Sequence, residues 1–139
     1  MVKMSSQEMD RTGIDKLLSK VKLGYLGTVD DKGVPYMVPL GFRYVDGAIY
    51  LHIAETGEKM ANIRNNPNVC FSVTSLDPTS SLLRSEKWGD FASVIIRGKA
   101  EKVMDEPEKI KVYGEAGWGV VYKIKPETIT GRAWSYTKK

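Results

Sequence analysis

The sequence predicts a mainly β domain in which about six antiparallel strands close into a small barrel with flanking helices. Three observations predict it. Apolar residues recur with a period of two along several short runs, turn-forming pairs separate those runs, and strands follow one another in hairpins instead of alternating with helices.

Residues 1–11 carry no apolar run and are expected as a flexible N-terminal segment of a single domain spanning 1–139. Residues 12–21 read as a short amphipathic helix, since Ile14, Leu17, Leu18 and Val21 share one stripe and Thr12 with Asp15 has capping-box spacing. The period then changes. Residues 23–29 form a strand closed by Asp30-Asp31-Lys32-Gly33. Residues 34–45 form a longer one, with Val38, Leu40, Phe42 and Tyr44 on one face. Asp46-Gly47 is a strong hairpin signal, and residues 48–54 make the returning strand.

A helix over 57–66 turns Met60 and Ile63 inward and stops at Asn65-Asn66-Pro67. Residues 69–76 form the next strand, 77–89 a polar loop, and 91–103 a long strand in which Gly98 marks a bulge or bend. Asp105 caps a helix with Pro107 in its first turn. After an irregular stretch holding Gly114, Gly117 and Gly119, residues 127–136 form the last strand.

At 139 residues the chain has room for one domain with a buried core. Hydrophobic content of 42% and a mean hydropathy of −0.30 are ordinary for a soluble globular protein. Its apolar runs fall far short of the ~20 residues that span a bilayer, so no membrane partner is expected. The chain opens without an export signal and holds one cysteine, Cys70, which excludes an internal disulfide and makes a reducing cytoplasm the expected setting. Among Val69, Phe71 and Val73, that thiol reads as buried and structural. A net charge of +4 and a pI near 9.1 can steer anionic ligands. The lysines are scattered instead of forming a basic stripe interleaved with aromatics, which argues against a nucleic-acid partner.

Several chemistries lack their motifs. There is no GxxxxGK[ST] and no GxGxxG after a strand. One histidine and one cysteine exclude the usual His/Cys zinc sets, and no GxSxG elbow accompanies His52.

An ordered set of short motifs runs through residues 33–73: Pro35 and Pro39, Asp46-Gly47, Ile49-Tyr50-Leu51-His52, Gly57-Glu58-Lys59, then Asn66-Pro67. A second block is Ser93-Val94-Ile95-Ile96-Arg97-Gly98-Lys99-Ala100, and a third is Ile129-Thr130-Gly131-Arg132. The set resembles the pyridoxamine 5′-phosphate oxidase-like FMN-binding split barrels, and among them the branch of 5-nitroimidazole resistance (Nim-type) proteins. The resemblance covers most of the chain from Gly24 to Trp134. It implies a six-stranded antiparallel split β-barrel of the FMN-binding type.

The resemblance further implies an FMN-dependent oxidoreductase that reduces a small flat substrate or electron acceptor. FMN would lie at the interface of a homodimer. Cofactor-binding residues would be Val38, Pro39, Leu40, His52, Ile53, Ala54, Lys59, Ser93 and Trp134, with Ser93 and either Trp88 or Trp134 reaching in from the other subunit. The chemistry suits these residue types. The Gly57-Glu58-Lys59 turn opens a helix whose free N–H groups and dipole favour a phosphate, and Lys59 adds a charge. Val38, Pro39 and Leu40 offer an apolar wall, with His52, Ile53 and Ala54 passing beside it.

His52 is the expected catalytic residue, because imidazole exchanges a proton near neutral pH. Taken alone, a single histidine on a strand is more often a hydrogen-bonded structural residue, Lys59 a solvated lysine, Ser93 a plain strand hydroxyl, and Trp88 or Trp134 simple packing. Glu58 stands where many relatives carry a second basic residue, and residues 105–125 are shorter than the usual helical excursion. Two other readings stay open: a haem- or flavin-binding module without turnover, for which His52 would be the one available axial histidine, and a nucleic-acid-binding barrel.

Overall fold

The computed structural model describes residues 2–76, 91–115 and 119–138; the polar loop, Trp88 and Gly117 lie outside the described residues. Among these, the order is β1 (Val2–Glu8), α1 (Arg11–Lys20), β2 (Leu23–Val29), β3 (Pro35–Gly41), β4 (Arg43–Val45) and β5 (Ala48–Ile53). Then come α2 (Glu58–Asn65), β6 (Asn68–Ser75), β7 (Phe91–Lys102), α3 (Glu106–Tyr113) and β8 (Val120–Lys138). All eight strands belong to one antiparallel sheet, ordered β3-β2-β6-β7-β8-β5-β4, with β1 also paired to β8. The sheet curls until β3 approaches β5. That is the mainly β, split-barrel architecture that the sequence predicts, with more strands.

The difference in strand number has local causes. Residues 34–45 divide into β3 and β4 because Phe42 turns into the core, 5% exposed, and donates its N–H to the Lys22 carbonyl oxygen at 3.2 Å. Residues 2–8 form β1 on the edge of β8, where the sequence reading expects a flexible segment. The final strand starts at Val120, earlier than expected: Lys123, Lys125 and Pro126 obscure the alternation of Val121 with the residues around it.

Turn chemistry fixes the hairpins. Asp46 and Gly47 take φ of 51° and 78°, the two positive values that a type I′ turn needs. Between Arg97 and Gly98 the β7–β8 register shifts, so the expected bulge is present, with Glu127 as the extra residue on β8. A Cβ at Gly98 would run into the Lys125 carbonyl oxygen. The cap of α1 is Asp10, which accepts from the Gly13 N–H at 2.9 Å, and not the expected Thr12. Asp105 caps α3 as expected, accepting from the Glu108 N–H at 3.0 Å.

Leu26, Ile49, Leu51, Phe71, Val73, Val94, Ile96 and Ile124 fill the curl of the sheet. Leu17 and Leu18 of α1 and Met60 and Ile63 of α2 join them. Each such side chain stabilises the fold by roughly 1.5–3 kcal/mol relative to exposure. A smaller cluster of Ala48, Tyr50, Val103, Val112 and Val121 seats α3 on the other face of β5. No helix among the described residues is long and apolar enough to cross a membrane.

Candidate functional site

Where the two ends of the sheet meet, β3, the end of β5 and the start of α2 form a corner. On β3, Pro39 points outward and is exposed, while Val38 and Leu40 are half-buried against the core. On β5, His52 and Ala54 are exposed and alternate with Ile53. The Ile53 side chain, expected at the cofactor, lies inside the barrel at 2% exposure, so only its backbone is available at the corner.

Gly57 precedes α2 with φ of 103°, in open space, and offers no capping side chain to the first-turn N–H groups. Lys59 is half-buried in that turn and Glu58 is exposed. The connection from β5 is pinned from both sides. Arg64 Nη2 donates to the Glu55 carbonyl oxygen at 3.1 Å, and Lys102 Nζ lies 3.8 Å from the Glu55 carboxylate.

His52 has a neighbourhood built by α3 and β8. It lies opposite Val121, with the Tyr113 ring centroid 6.1 Å from its own at a 54° tilt. A Cβ on Gly119 would sit 3.6 Å from His52 Nε2, so the glycine leaves room beside the imidazole. Tyr113 is held on two sides: its hydroxyl donates to the Tyr50 carbonyl oxygen at 3.1 Å, and the Arg43 guanidinium lies 4.9 Å from its ring centroid. Burial pushes the Tyr113 hydroxyl up to about 12, against the opposing effect of Arg43. Next to this group an open cleft of about 410 Å³ is lined by Ile110, Tyr113, Gly119 and Val121, with Glu106 and Lys109 among its polar residues.

A polar triad fastens α3 above β5 and β8. The Tyr50 hydroxyl donates to Glu108 Oε2 at 2.6 Å, and Lys123 Nζ donates to the same oxygen at 2.8 Å. The Lys123 ammonium, and then the Tyr50 hydroxyl, hold Glu108 below the ordinary carboxylate range. Burial, and then Glu108, push Tyr50 up to about 12.

Ser93 and Trp134 belong to a different part of the chain. Ser93, half-buried, lies opposite Thr74 and Arg132, and Trp134 stacks on Phe91 with centroids 5.7 Å apart and planes at 9°. Arg132 is eleven positions along β8 from Val121, the partner of His52, a contour of about 36 Å. The expected residues therefore form two groups within one chain. Of these, Pro39, His52, Ser93 and Trp134 lie on the outer face of the sheet, where the register aligns Pro39, Tyr25, Ser72, Ile95 and Thr130 in one row, whereas the Val38, Leu40 and Ile53 side chains face the core. Ser93 lies one row away and three strand spacings from β3, about 14 Å. Leu23, Tyr25, Met37 and Ile95 are exposed on that face. Cys70, expected to be buried, is half-buried there, opposite Gly27 and Arg97.

Sequence reasoning passed over Tyr113 and the Tyr50–Glu108–Lys123 triad. The available signal was Tyr50 itself, two positions from His52 on the same strand face.

The family profile described as Pyridoxamine 5′-phosphate oxidase matches residues 10–133. The chain belongs to that family. Solved structures share its fold. A FAD-binding protein from Mesorhizobium loti superposes with a TM-score of 0.77 at 23% identity, covering 96% of this chain and 99% of that one. A proposed 5-nitroimidazole antibiotic resistance protein from Bacteroides thetaiotaomicron has a TM-score of 0.74 at 22% identity, with 95% and 89% covered. The FAD-binding protein from Mycobacterium smegmatis has a TM-score of 0.70 at 25% identity, with 93% and 98% covered. No curated protein matches the chain.

The triad has a pH signature. The folded value of Glu108 is lowered, so its contribution is in place above the unfolded value of about 4.3 and is lost as pH falls through the lower folded value. The folded value of Tyr50 is raised, so its contribution is complete below the unfolded value of about 10 and is lost as pH rises through about 12. Tyr50→Phe should cost about 1.5–3 kcal/mol near neutral pH. The gap to wild type should narrow below about pH 4 and above about pH 10. Urea unfolding of both proteins across that range checks this; a gap independent of pH would contradict it.

Proposed function

We propose that the chain is a homodimeric FMN-binding oxidoreductase that reduces a small flat acceptor, of the nitroimidazole reductase type within its family. The observation that carries the reading is the corner at which β3, the end of β5 and the uncapped start of α2 converge. A flavin brings a flat ring and a phosphate, and the corner offers one partner to each. Pro39 presents its exposed apolar ring to the flavin, and the backbone of Val38 and Leu40, like that of His52, Ile53 and Ala54, is available at the edge of the flavin, since the Val38 and Leu40 side chains pack on the core. Gly57 leaves the first-turn N–H groups of α2 open to the phosphate, and Lys59 supplies the charge. Glu58 opposes an anion there, but it is exposed and screened by solvent. Two of the similar structures are named as FAD-binding, which supports a flavin and makes FAD the natural competitor of FMN.

The sheet face supports a second subunit. Leu23, Tyr25, Met37 and Ile95 present apolar surface that a second copy would cover. In the proposed dimer, Ser93 and Trp134 of one copy complete the β3–α2 corner of the other.

Bound flavin supplies the redox chemistry, accepting and passing on electrons at its ring. His52 Nε2 stands beside the space kept by Gly119, where it can hand a proton to a reduced acceptor. The Tyr113 ring limits how the imidazole can turn, and the cleft next to it, lined by Ile110 and Tyr113 together with Glu106 and Lys109, gives an acceptor a way in.

Two outcomes are expected. In fluorescence titrations of apoprotein, FMN should saturate one site per chain in preference to FAD. Lys59→Ala should weaken FMN by about tenfold while leaving riboflavin nearly unchanged. Absence of saturable micromolar binding of either flavin nucleotide would contradict the cofactor, and a FAD preference would replace FMN by its dinucleotide. The other expectation concerns His52→Ala, which should keep most FMN binding yet slow reoxidation of pre-reduced protein by a nitroimidazole or quinone at least about tenfold. Stopped-flow absorbance measures this. Equal rates would remove His52 from the mechanism, and a wild type no faster than free reduced FMN would favour a flavin-binding module without turnover.

A further inference from the structure

Three residues bury α2 against the sheet. Met60 and Ile63 join the main core, and the third is polar, Asn62. Asn62 is 5% exposed, and its partner Thr28 on β2 is 3% exposed. Asn62 Nδ2 donates to Thr28 Oγ1 at 3.0 Å, and the Thr28 hydroxyl donates onward to the Tyr36 carbonyl oxygen of β3 at 3.4 Å. An apolar pair could fill the same place without removing two polar groups from water. What the polar pair adds is direction. Met60 and Ile63 hold the helix down through contacts that tolerate rotation and sliding, whereas a hydrogen bond has one good geometry.

The direction matters for the residues three positions away. With about 3.6 residues per turn, Lys59 projects between the directions of Asn62 and Ile63. Rotating the helix about its axis would therefore carry Lys59 and the open first-turn N–H groups away from β3. The other end of the bond chain is also placed tellingly: Tyr36 precedes Val38, Pro39 and Leu40 on the same strand. One line of hydrogen bonds thus ties the proposed phosphate seat to the proposed ring wall.

We infer that Asn62 and Thr28 are positioning residues, whose hydrogen bonds lock α2 onto β2 and β3 in the orientation that aims Lys59 and the first-turn N–H groups at a flavin phosphate. The inference rests on the phosphate seat proposed above. It predicts an effect on phosphate recognition separable from stability.

The readout is the ratio of riboflavin to FMN dissociation constants, because a purely structural role would weaken both ligands alike. Thr28→Val leaves the buried Asn62 amide unpaired and should lower the unfolding temperature. The double variant Thr28→Val/Asn62→Leu removes both polar partners and should recover most of that stability. Its preference for FMN over riboflavin should nevertheless fall about tenfold. Thr28→Ser keeps the hydroxyl and should keep the preference. Asn62→Ala, a simple truncation, is measured beside the double variant and should lose the preference as well.

A double variant or Asn62→Ala that retains the wild-type preference overturns the inference, and so does an equal weakening of both flavins. A wild type that binds FMN and riboflavin alike instead overturns the phosphate seat itself, and the inference falls with it.

Discussion

At Gly98 the β7–β8 ribbon slips by one residue, and there the chain has no side chain because the Lys125 carbonyl oxygen occupies the space that a Cβ would need. The slip falls in the two longest strands among the described residues, where a bulge bends the chain. β7 pairs with β8 on both sides of the bulge; on one side Val120 to Ile124 of β8 also pair with β5, and on the other Arg132 to Lys138 also pair with β1. One strand therefore serves two walls of the curled sheet, and β3 can come round to β5. The corner joins β3, at one end of the strand order, to β5, near the other.

The same bend separates two tasks along the chain. Near β5 the barrel carries polar groups that face each other: Tyr50, Glu108 and Lys123 fasten α3, and Tyr113 is held between Arg43 and the Tyr50 carbonyl oxygen beside His52. Along β2, β3, β6 and β7 the outer face exposes Leu23, Tyr25, Met37 and Ile95, with Arg97 and Lys99 farther along β7. In the proposed reading, the corner holds the chemistry and the sheet face meets a second copy. The proposed site draws on both, and this is why a single chain holds its expected residues in two groups.

The fold was legible where local rules decide it. The period of two, the positive-φ pair Asp46-Gly47 and the bulge at Gly98 each act within a few residues, so β2 and the β4–β5 hairpin lie where the sequence predicts them. Elements that depend on distant partners were not legible. The strand β1 owes its form to pairing with β8, and the early part of β8 hides behind Lys123, Lys125 and Pro126. The site divides in the same way. Pro39, His52 and Lys59 could be picked out by motif, whereas Tyr113, Glu108 and the Asn62–Thr28 pair acquire meaning only when a helix is laid on the sheet. The inward Ile53 side chain shows the converse: a motif marks a segment, but alternation along the strand decides which of its side chains are available.

The central claim is that two copies share each flavin site, one contributing the β3–α2 corner and the other the β7–β8 end. Complementation between two damaged chains tests it most directly. Lys59→Ala harms the first half and Ser93→Trp fills the second, so each homodimer binds FMN poorly at both sites. When the two variants are unfolded together in equal amounts and refolded, about half of the dimers are mixed, and each mixed dimer has one site free of both lesions. The account predicts that tight FMN binding returns at about a quarter of the wild-type site number in a fluorescence titration. A refolded mixture that binds no better than its two parents would contradict it.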